Sequence, residues 1–283
     1  MRESRIQPTT AAGQERPPRP VGRAGGISVI VPAAPWDSEW KRLLPDLAPL
    51  SGEDEILIVG TQPEPADFQE LVTGCRLAAR VRWLPAPQGR ATQMNHGASA
   101  AAGRWLWFLH ADSRMLPDAV EALDAALTHQ PDALHYFALR FLQDGPAGMT
   151  LNELGVRFRS RVLRMPFGDQ GFCLRRDLFD SLGGYEETAS YGEDHLLVWA
   201  ARRRGIAVLG VSSAIQTSAR KYRAGGWFRT TARHLRLTFA QAVPQFCLLL
   251  RERFRLRSAT SQPLPRETPL RRRNSPTKED RPE

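Results

Sequence analysis

The sequence predicts an α/β fold: one domain on a mostly parallel central sheet, with helices on both faces. Three observations carry this. Strand-like apolar runs alternate with helical patterns from Ile27 onward. The runs are apolar at nearly every position, as strands buried on both faces are. The order βαβαβαβ is complete by His129, and that alternation demands parallel strands with crossover helices.

The elements follow in order. ISVIVPA (27–33) is a β-branched run closed by proline, and a helix is expected from Trp36 to Leu50, limited by Pro45 and Pro49. EILIVG (55–60) and ARVRWLP (79–85) are the second and third strands. GRATQMNHGASAAAG (89–103) reads as a small-residue helix closed by Gly103. RWLWFLH (104–110) is the fourth strand, and Pro117 suits the first turn of a helix running to His129. Then come a strand at 132–142, a helix near 151–163, a short strand GFCLRR (171–176), a helix from about Glu193 to Arg204, and a strand at 206–215.

The net charge of +9 is concentrated at the ends: +3 in residues 1–25 and +5 in 251–283, leaving +1 between them. Both ends are rich in Pro, Arg, Ser and Thr and are expected to be disordered tails flanking a domain at 26–250. A nearly neutral domain disfavours specific nucleic-acid binding. The first twenty residues have no apolar centre, so no signal peptide is expected. Cys75, Cys173 and Cys247 lack metal-ligand spacing and fit a reducing, cytoplasmic setting.

WLWFL ends in His110-Ala111-Asp112. Ligands of open parallel sheets bind beyond the carboxyl ends of the strands. Alternate residues of an extended segment face one way, so His110 and Asp112 can share a target. A carboxylate there suits a Mn or Mg ion on a diphosphate, and imidazole favours Mn; a plain turn cap is the alternative. Glu193 and Asp194 open a helix, as a general base aimed at an acceptor or as acids on a helix dipole. Gly168-Asp169-Gln170-Gly171 suggests backbone approaching a ligand, or a turn. Arg220, Lys221 and Arg223 form either an electropositive wall or a solvated loop.

Taken together, SVIVPA, the helix at 89–103, WLWFLHAD, DQGFCLRR, GGY, ED before a helix and TSAR resemble family 2 glycosyltransferases over about residues 26–235. The nearest subgroup is the radical-SAM/selenodomain-associated transferases, assigned to arsenosugar biosynthesis or carotenoid-acid glycosylation. The resemblance implies a GT-A type domain and an inverting transfer from a nucleotide-diphosphate sugar to a hydroxyl or carboxylate. It implies Asp112 and His110 as metal residues, Asp194 with Glu193 as the catalytic pair, and Pro32, Arg90, Gln93, Asn95 and Asp112 on the donor side. Asp169, Gln170 and Arg220 fall on the acceptor and diphosphate side. Two departures stand out: Gly60 replaces an acid at the end of the second strand, and PAAPWDSEW (32–40) lacks the usual Asn-Glu pair, where Asp37 or Glu39 can substitute.

A sugar nucleotidyltransferase would need a glycine-rich basic loop after the first strand, which PAAPWDSEW is not. A degenerate, non-catalytic sugar-nucleotide-binding member is the alternative that Gly60 keeps open. Residues 227–257 mix apolar and arginine positions, fitting either a peripheral membrane segment with a lipid-like acceptor or a helix packed on the domain.

Overall fold

The computed structural model describes residues 24–146, 149–189 and 191–219, and in the C-terminal part 228, 236, 242–249 and 251. The tails at 1–23 and 252–283, most of 227–257, and Arg220 with its neighbours Lys221 and Arg223 lie outside the described residues. In chain order the elements are β1 (Ile27–Ala33), α1 (Trp40–Leu43), β2 (Glu55–Gly60), α2 (Phe68–Gly74), β3 (Arg80–Pro85), α3 (Arg90–Ala100) and β4 (Trp105–Phe108). They continue with β5 (Arg114–Met115), α4 (Ala119–His129), β6 (Ala133–Phe141), α5 (Met149–Arg161), β7 (Cys173–Arg175), α6 (Arg176–Leu182), α7 (Glu193–Arg203) and β8 (Ala207–Thr217).

Eight strands form one sheet in the order β3-β2-β1-β4-β7-β6-β8-β5. The β3-β2-β1-β4 half is parallel, as are β6 and β8, which is the predicted doubly covered α/β arrangement. Between the two halves β7 runs against both β4 and β6, and β5 runs against β8. Two strands of two and three residues carry no periodicity, so their direction was invisible in the sequence.

β1 and β2 are buried along almost their whole length, and their alternate side chains feed two cores. On one face Val29, Ile56 and Trp107 pack with Leu43, Phe68 and Leu123 from α1, α2 and α4. On the other, Ile30, Leu57 and Phe108 meet Met94 of α3, Phe179 of α6 and Val198 of α7. Each such apolar side chain contributes roughly 1.5–3 kcal/mol by leaving water. These cores fix where α3 and α7 begin, and the polar residues gather at those two starting points.

The helix expected over Trp36–Leu50 is shorter. Trp40–Leu43 is α-helical and Leu44–Leu47 continues as a 3-10 turn. Pro45 lacks the N–H needed to bond back one α-turn, so the chain tightens instead. Two helices, α2 and α6, were not located by the sequence pattern; both have only seven residues.

Candidate functional site

The site gathers where α3 and α7 begin and β4 ends. Arg90 is the first residue of α3, and Glu193 and Asp194 are the first two of α7. The Arg90 guanidinium spans both acids: Nε donates to Glu193 Oε1 at 2.5 Å and Nη2 donates to Asp194 Oδ2 at 3.0 Å. Its third nitrogen, Nη1, is 3.4 Å from Nε2 of His110, just beyond β4. A guanidinium only donates, so this imidazole nitrogen accepts. Residues separated by about a hundred positions thus converge on one cation.

Both acids are buried, while Arg90 stays half-exposed. Burial pushes the Asp194 carboxyl up to about 6, with Arg90 pulling it down and Glu193 and Asp169 pushing it further up. Burial works against the Arg90 charge too, but Asp194 and Glu193 hold its pKa above the ordinary arginine value. The result is a carboxylate poised near neutrality, the range in which a general base is effective.

Gly168 makes this packing possible. A Cβ at that position would lie 2.1 Å from Asp194 Cγ and Oδ2, closer than any side chain tolerates. Next to Asp194, His195 Nε2 accepts from Arg159 Nη2 at 2.6 Å, and the Arg159 guanidinium stacks 3.7 Å from the Phe167 ring. Burial pushes Arg159 down to about 10, against the pull of Asp169.

Asp112 faces elsewhere. Its Oδ2 accepts from the buried Thr217 hydroxyl at 3.2 Å, so the end of β8 orients it. Together with Glu39, Arg42, Arg114, Asp144 and Ser218 it lines a cleft of about 240 Å³. Asp144 accepts from Ser218 Oγ and Ala219 N, tying the end of β6 to the end of β8. Among the described residues no group of three His, Cys, Asp or Glu is arranged to enclose a metal. The donor set nevertheless fits a divalent cation that takes one carboxylate and completes its shell with diphosphate oxygens.

The other expected residues divide in two. Gln93 is buried, and Nε2 donates to the carbonyls of Ala33 and Val59, binding the ends of β1 and β2 together beside Pro32. Asn95 clamps both backbone groups of Tyr185 and donates to Glu187. Gln170 is wholly internal: its Oε1 accepts from Ser160 Oγ and Phe167 N, and its Nε2 donates to Phe137 O. The side-chain amides of Gln93 and Gln170 are therefore engaged with the scaffold, and Arg220 lies outside the described residues. Arg159, Thr217, Asp144 and the buried Tyr185 were not singled out as site residues. The GGY and TSAR stretches offered a signal for two of them; a lone arginine in a helix offered none.

A second cleft of about 230 Å³ opens beyond β1 and β2, lined by Trp36, Asp37, Lys41, Thr61, Gln62 and Trp83 among others. Trp36 is 80% exposed there. The buried hydroxyl of Thr61 has no hydrogen-bond partner among the described residues. Asp37 caps the turn into α1 by accepting from Glu39 N. Gly60 is explained by Trp83, whose Cζ2 would lie 2.0 Å from a Cβ at that position. The indole donates to Gln62 O and fills the place an acid would occupy.

The fold has parallels among solved structures. The mannosyltransferase PcManGT from Pyrobaculum calidifontis, solved with GDP-Man and Mn2+, superposes with a TM-score of 0.59 at 19% identity, over 84% of this chain and 71% of that one. TarS from S. aureus gives 0.53 at 17% identity, over 68% of this chain and 36% of TarS. Its 1–349 fragment with UDP-GlcNAc gives 0.52 at 16% identity, over 68% and 58%. The chain thus spans well under two thirds of TarS, and the likeness is one of fold. No curated protein matches the chain. Residues 41–183, half of the sequence, match Glycosyl transferase family 2. With that match, the single curled α/β sheet and these neighbours, the chain belongs to the family 2 glycosyltransferases.

Proposed function

We propose that this glycosyltransferase is an inverting hexosyltransferase, moving a sugar from a nucleoside diphosphate sugar to a hydroxyl or carboxylate of a lipid-like acceptor. The observation that carries the reading is Asp194: buried, paired with Arg90, backed by Gly168 and pushed up to about 6. For a hydroxyl acceptor, Asp194 takes the proton as the oxygen attacks the anomeric carbon from the face opposite the leaving diphosphate. A carboxylate acceptor attacks without proton transfer and needs no base. Glu193 shares Arg90 with Asp194 and keeps the guanidinium between the two acids.

Leaving-group departure builds negative charge on the diphosphate. Asp112, aimed by Thr217, would hold a divalent cation that supplies positive charge there. His110 stands beside it in sequence, with Nε2 accepting from Arg90. Arg90 is thereby placed to link the donor side to the base. The cleft with Trp36 and Trp83 suits the nucleobase by stacking, where other members use an acid. The relatives bind UDP-GlcNAc and GDP-Man, which makes UDP and GDP the nucleotides to try first.

His110 in place of the first carboxylate of an Asp-x-Asp motif supports placement among the radical-SAM/selenodomain-associated transferases, whose acceptors include carotenoid acids and arsenosugar precursors. Three cysteines without metal-ligand spacing suit a cytoplasmic setting, here at the inner face of a membrane; no described helix is long and apolar enough to cross one. Gly60 favours one other reading, a member that binds without catalysing.

Calorimetric titration of UDP and GDP, with and without Mn2+, on the wild type and Asp112→Ala tests the proposal. Metal-dependent binding that is lost in the variant is expected. Absence of binding to either nucleotide would sink the donor assignment, and binding without sugar transfer from any donor would favour the non-catalytic reading.

A further inference from the structure

The helix α5 presents an apolar line to solvent. Leu151, Leu154, Phe158 and Val162 are 60%, 62%, 56% and 62% exposed. Their spacing of three, four and four residues puts them on one face, and the turn continues past Arg161 because Val162 N donates to Phe158 O at 2.8 Å. The opposite face is the one that packs: Met149, Arg159 and Ser160 are buried. Ser160 O accepts from Tyr136 of β6, and Glu153 accepts from the backbone of Phe141. The helix of 13 residues, roughly 20 Å long, therefore turns an apolar line outward while burying an arginine and a serine.

Charge selects what covers this line. Arg157 and Arg161 are exposed along one edge of it and pair with no acid among the described residues. Glu153, the one acid of the helix, is engaged with Phe141 and points away. A line of Leu, Phe and Val edged by arginines matches a bilayer interface, where apolar side chains enter the acyl boundary and guanidinium groups meet lipid phosphates. A protein groove would have to bring acids to both arginines.

We propose that α5 lies in the surface of an anionic bilayer, held by Leu151, Leu154, Phe158 and Val162 and steered by Arg157 and Arg161. The same helix carries Arg159 on its inner face, bonded to His195 next to Asp194. The inference stands on α5 alone and holds whichever sugar or acceptor the enzyme uses.

Co-sedimentation of the full chain with vesicles tests it, using phosphatidylcholine alone and phosphatidylcholine mixed with phosphatidylglycerol. The wild type should sediment with the mixed vesicles only, and less so as salt is raised. Leu154→Ser with Phe158→Ser should weaken the partition by at least about tenfold, as two apolar side chains are withdrawn from the acyl boundary. Arg157→Gln with Arg161→Gln should weaken binding to the mixed vesicles and leave the apolar line intact, and this second pair decides if the first does not fold. Wild type that stays in the supernatant with both vesicle types overturns the proposal. So does undiminished binding by the variants, which would assign attachment to another surface such as the basic tails. A wild-type dimer that Leu154→Ser with Phe158→Ser converts to monomer, with no vesicle binding, would make the line a self-interface instead.

Discussion

Nη2 of Arg90 stands 3.0 Å from Oδ2 of Asp194, so the cation that opens α3 and the acid that opens α7 act as one unit. Burial raises the Asp194 carboxyl to about 6, while Arg90 opposes that rise. For proton abstraction the carboxylate form is required, so kcat/KM with a hydroxyl acceptor should climb with pH and level off above about 6. In Arg90→Gln the opposing cation is gone, and the acidic limb should move to higher pH with a lower plateau. An unmoved limb in that variant would show that Arg90 does not set the titration of the base.

The same pair makes stability depend on pH. The folded-state pKa of Asp194, about 6, lies above its ordinary value of 3.8, so the native state binds more protons than the unfolded state between these limits. The contribution is fully present below the lower value and is lost as pH rises through about 6. Urea midpoints of wild type and Asp194→Asn should therefore converge at low pH and separate towards neutrality, with the wild type declining relative to the variant. Parallel curves from pH 4 to 7 would contradict it.

Gly168→Ala should separate catalysis from folding. The added methyl group meets the Asp194 carboxylate, which must move to make room. Displacing a reacting group by about 1 Å costs on the order of a hundredfold in rate, so kcat should fall by that order. The residue is the buried first position of the 3-10 turn Gly168–Gln170, where overpacking typically costs about 1–3 kcal/mol, so the variant should stay folded with a lowered melting temperature. Full activity in this variant would remove Asp194 from the reaction.

Much of this fold was legible because its strands are buried on both faces. ISVIVPA and EILIVG became β1 and β2 to the residue, since an apolar run that short and that β-branched has one comfortable place in such a protein. The position of His110 and Asp112 just past a buried strand was also legible, because the apolar run stops at them. Their partners were not. The resemblance puts Arg90 on the donor side, but nothing in the sequence pairs it with α7 a hundred residues away, and Thr217 aims Asp112 from the far end of β8. Gln170 misled for the opposite reason: its glycine-flanked position suggested a ligand, but its amide locks Ser160, Phe167 and Phe137 inside the core. Gly60 was readable only as a missing acid, and the indole of Trp83 that fills the space comes from the neighbouring strand.

The nucleobase assignment predicts a loss confined to binding. Trp36 is 80% exposed and lines the cleft with Trp83 and Thr61, so Trp36→Ala should leave the melting temperature unchanged. Removing an aromatic face from a base typically costs about 1–3 kcal/mol, so the Kd for the preferred nucleotide should rise by at least about fivefold. Equal affinities in wild type and variant would move the base to another part of the cleft rim.

Thr217 gives the sharpest test of how Asp112 works. Its buried hydroxyl donates to Asp112 Oδ2 across 3.2 Å and touches no open surface itself. If Asp112 holds a cation, Thr217 acts through it by fixing the orientation of the carboxylate. Thr217→Val keeps the shape and removes only the hydroxyl. Loss of such an orienting partner typically weakens metal affinity by about 10–100-fold. Mn2+-dependent binding of UDP or GDP should weaken within that range, while binding measured in EDTA should stay at the wild-type level. Serine at this position should recover most of the affinity, because it restores the donor without the methyl group. Equal losses with and without Mn2+ would mean that Thr217 supports the cleft as a whole and that Asp112 does not hold the ion.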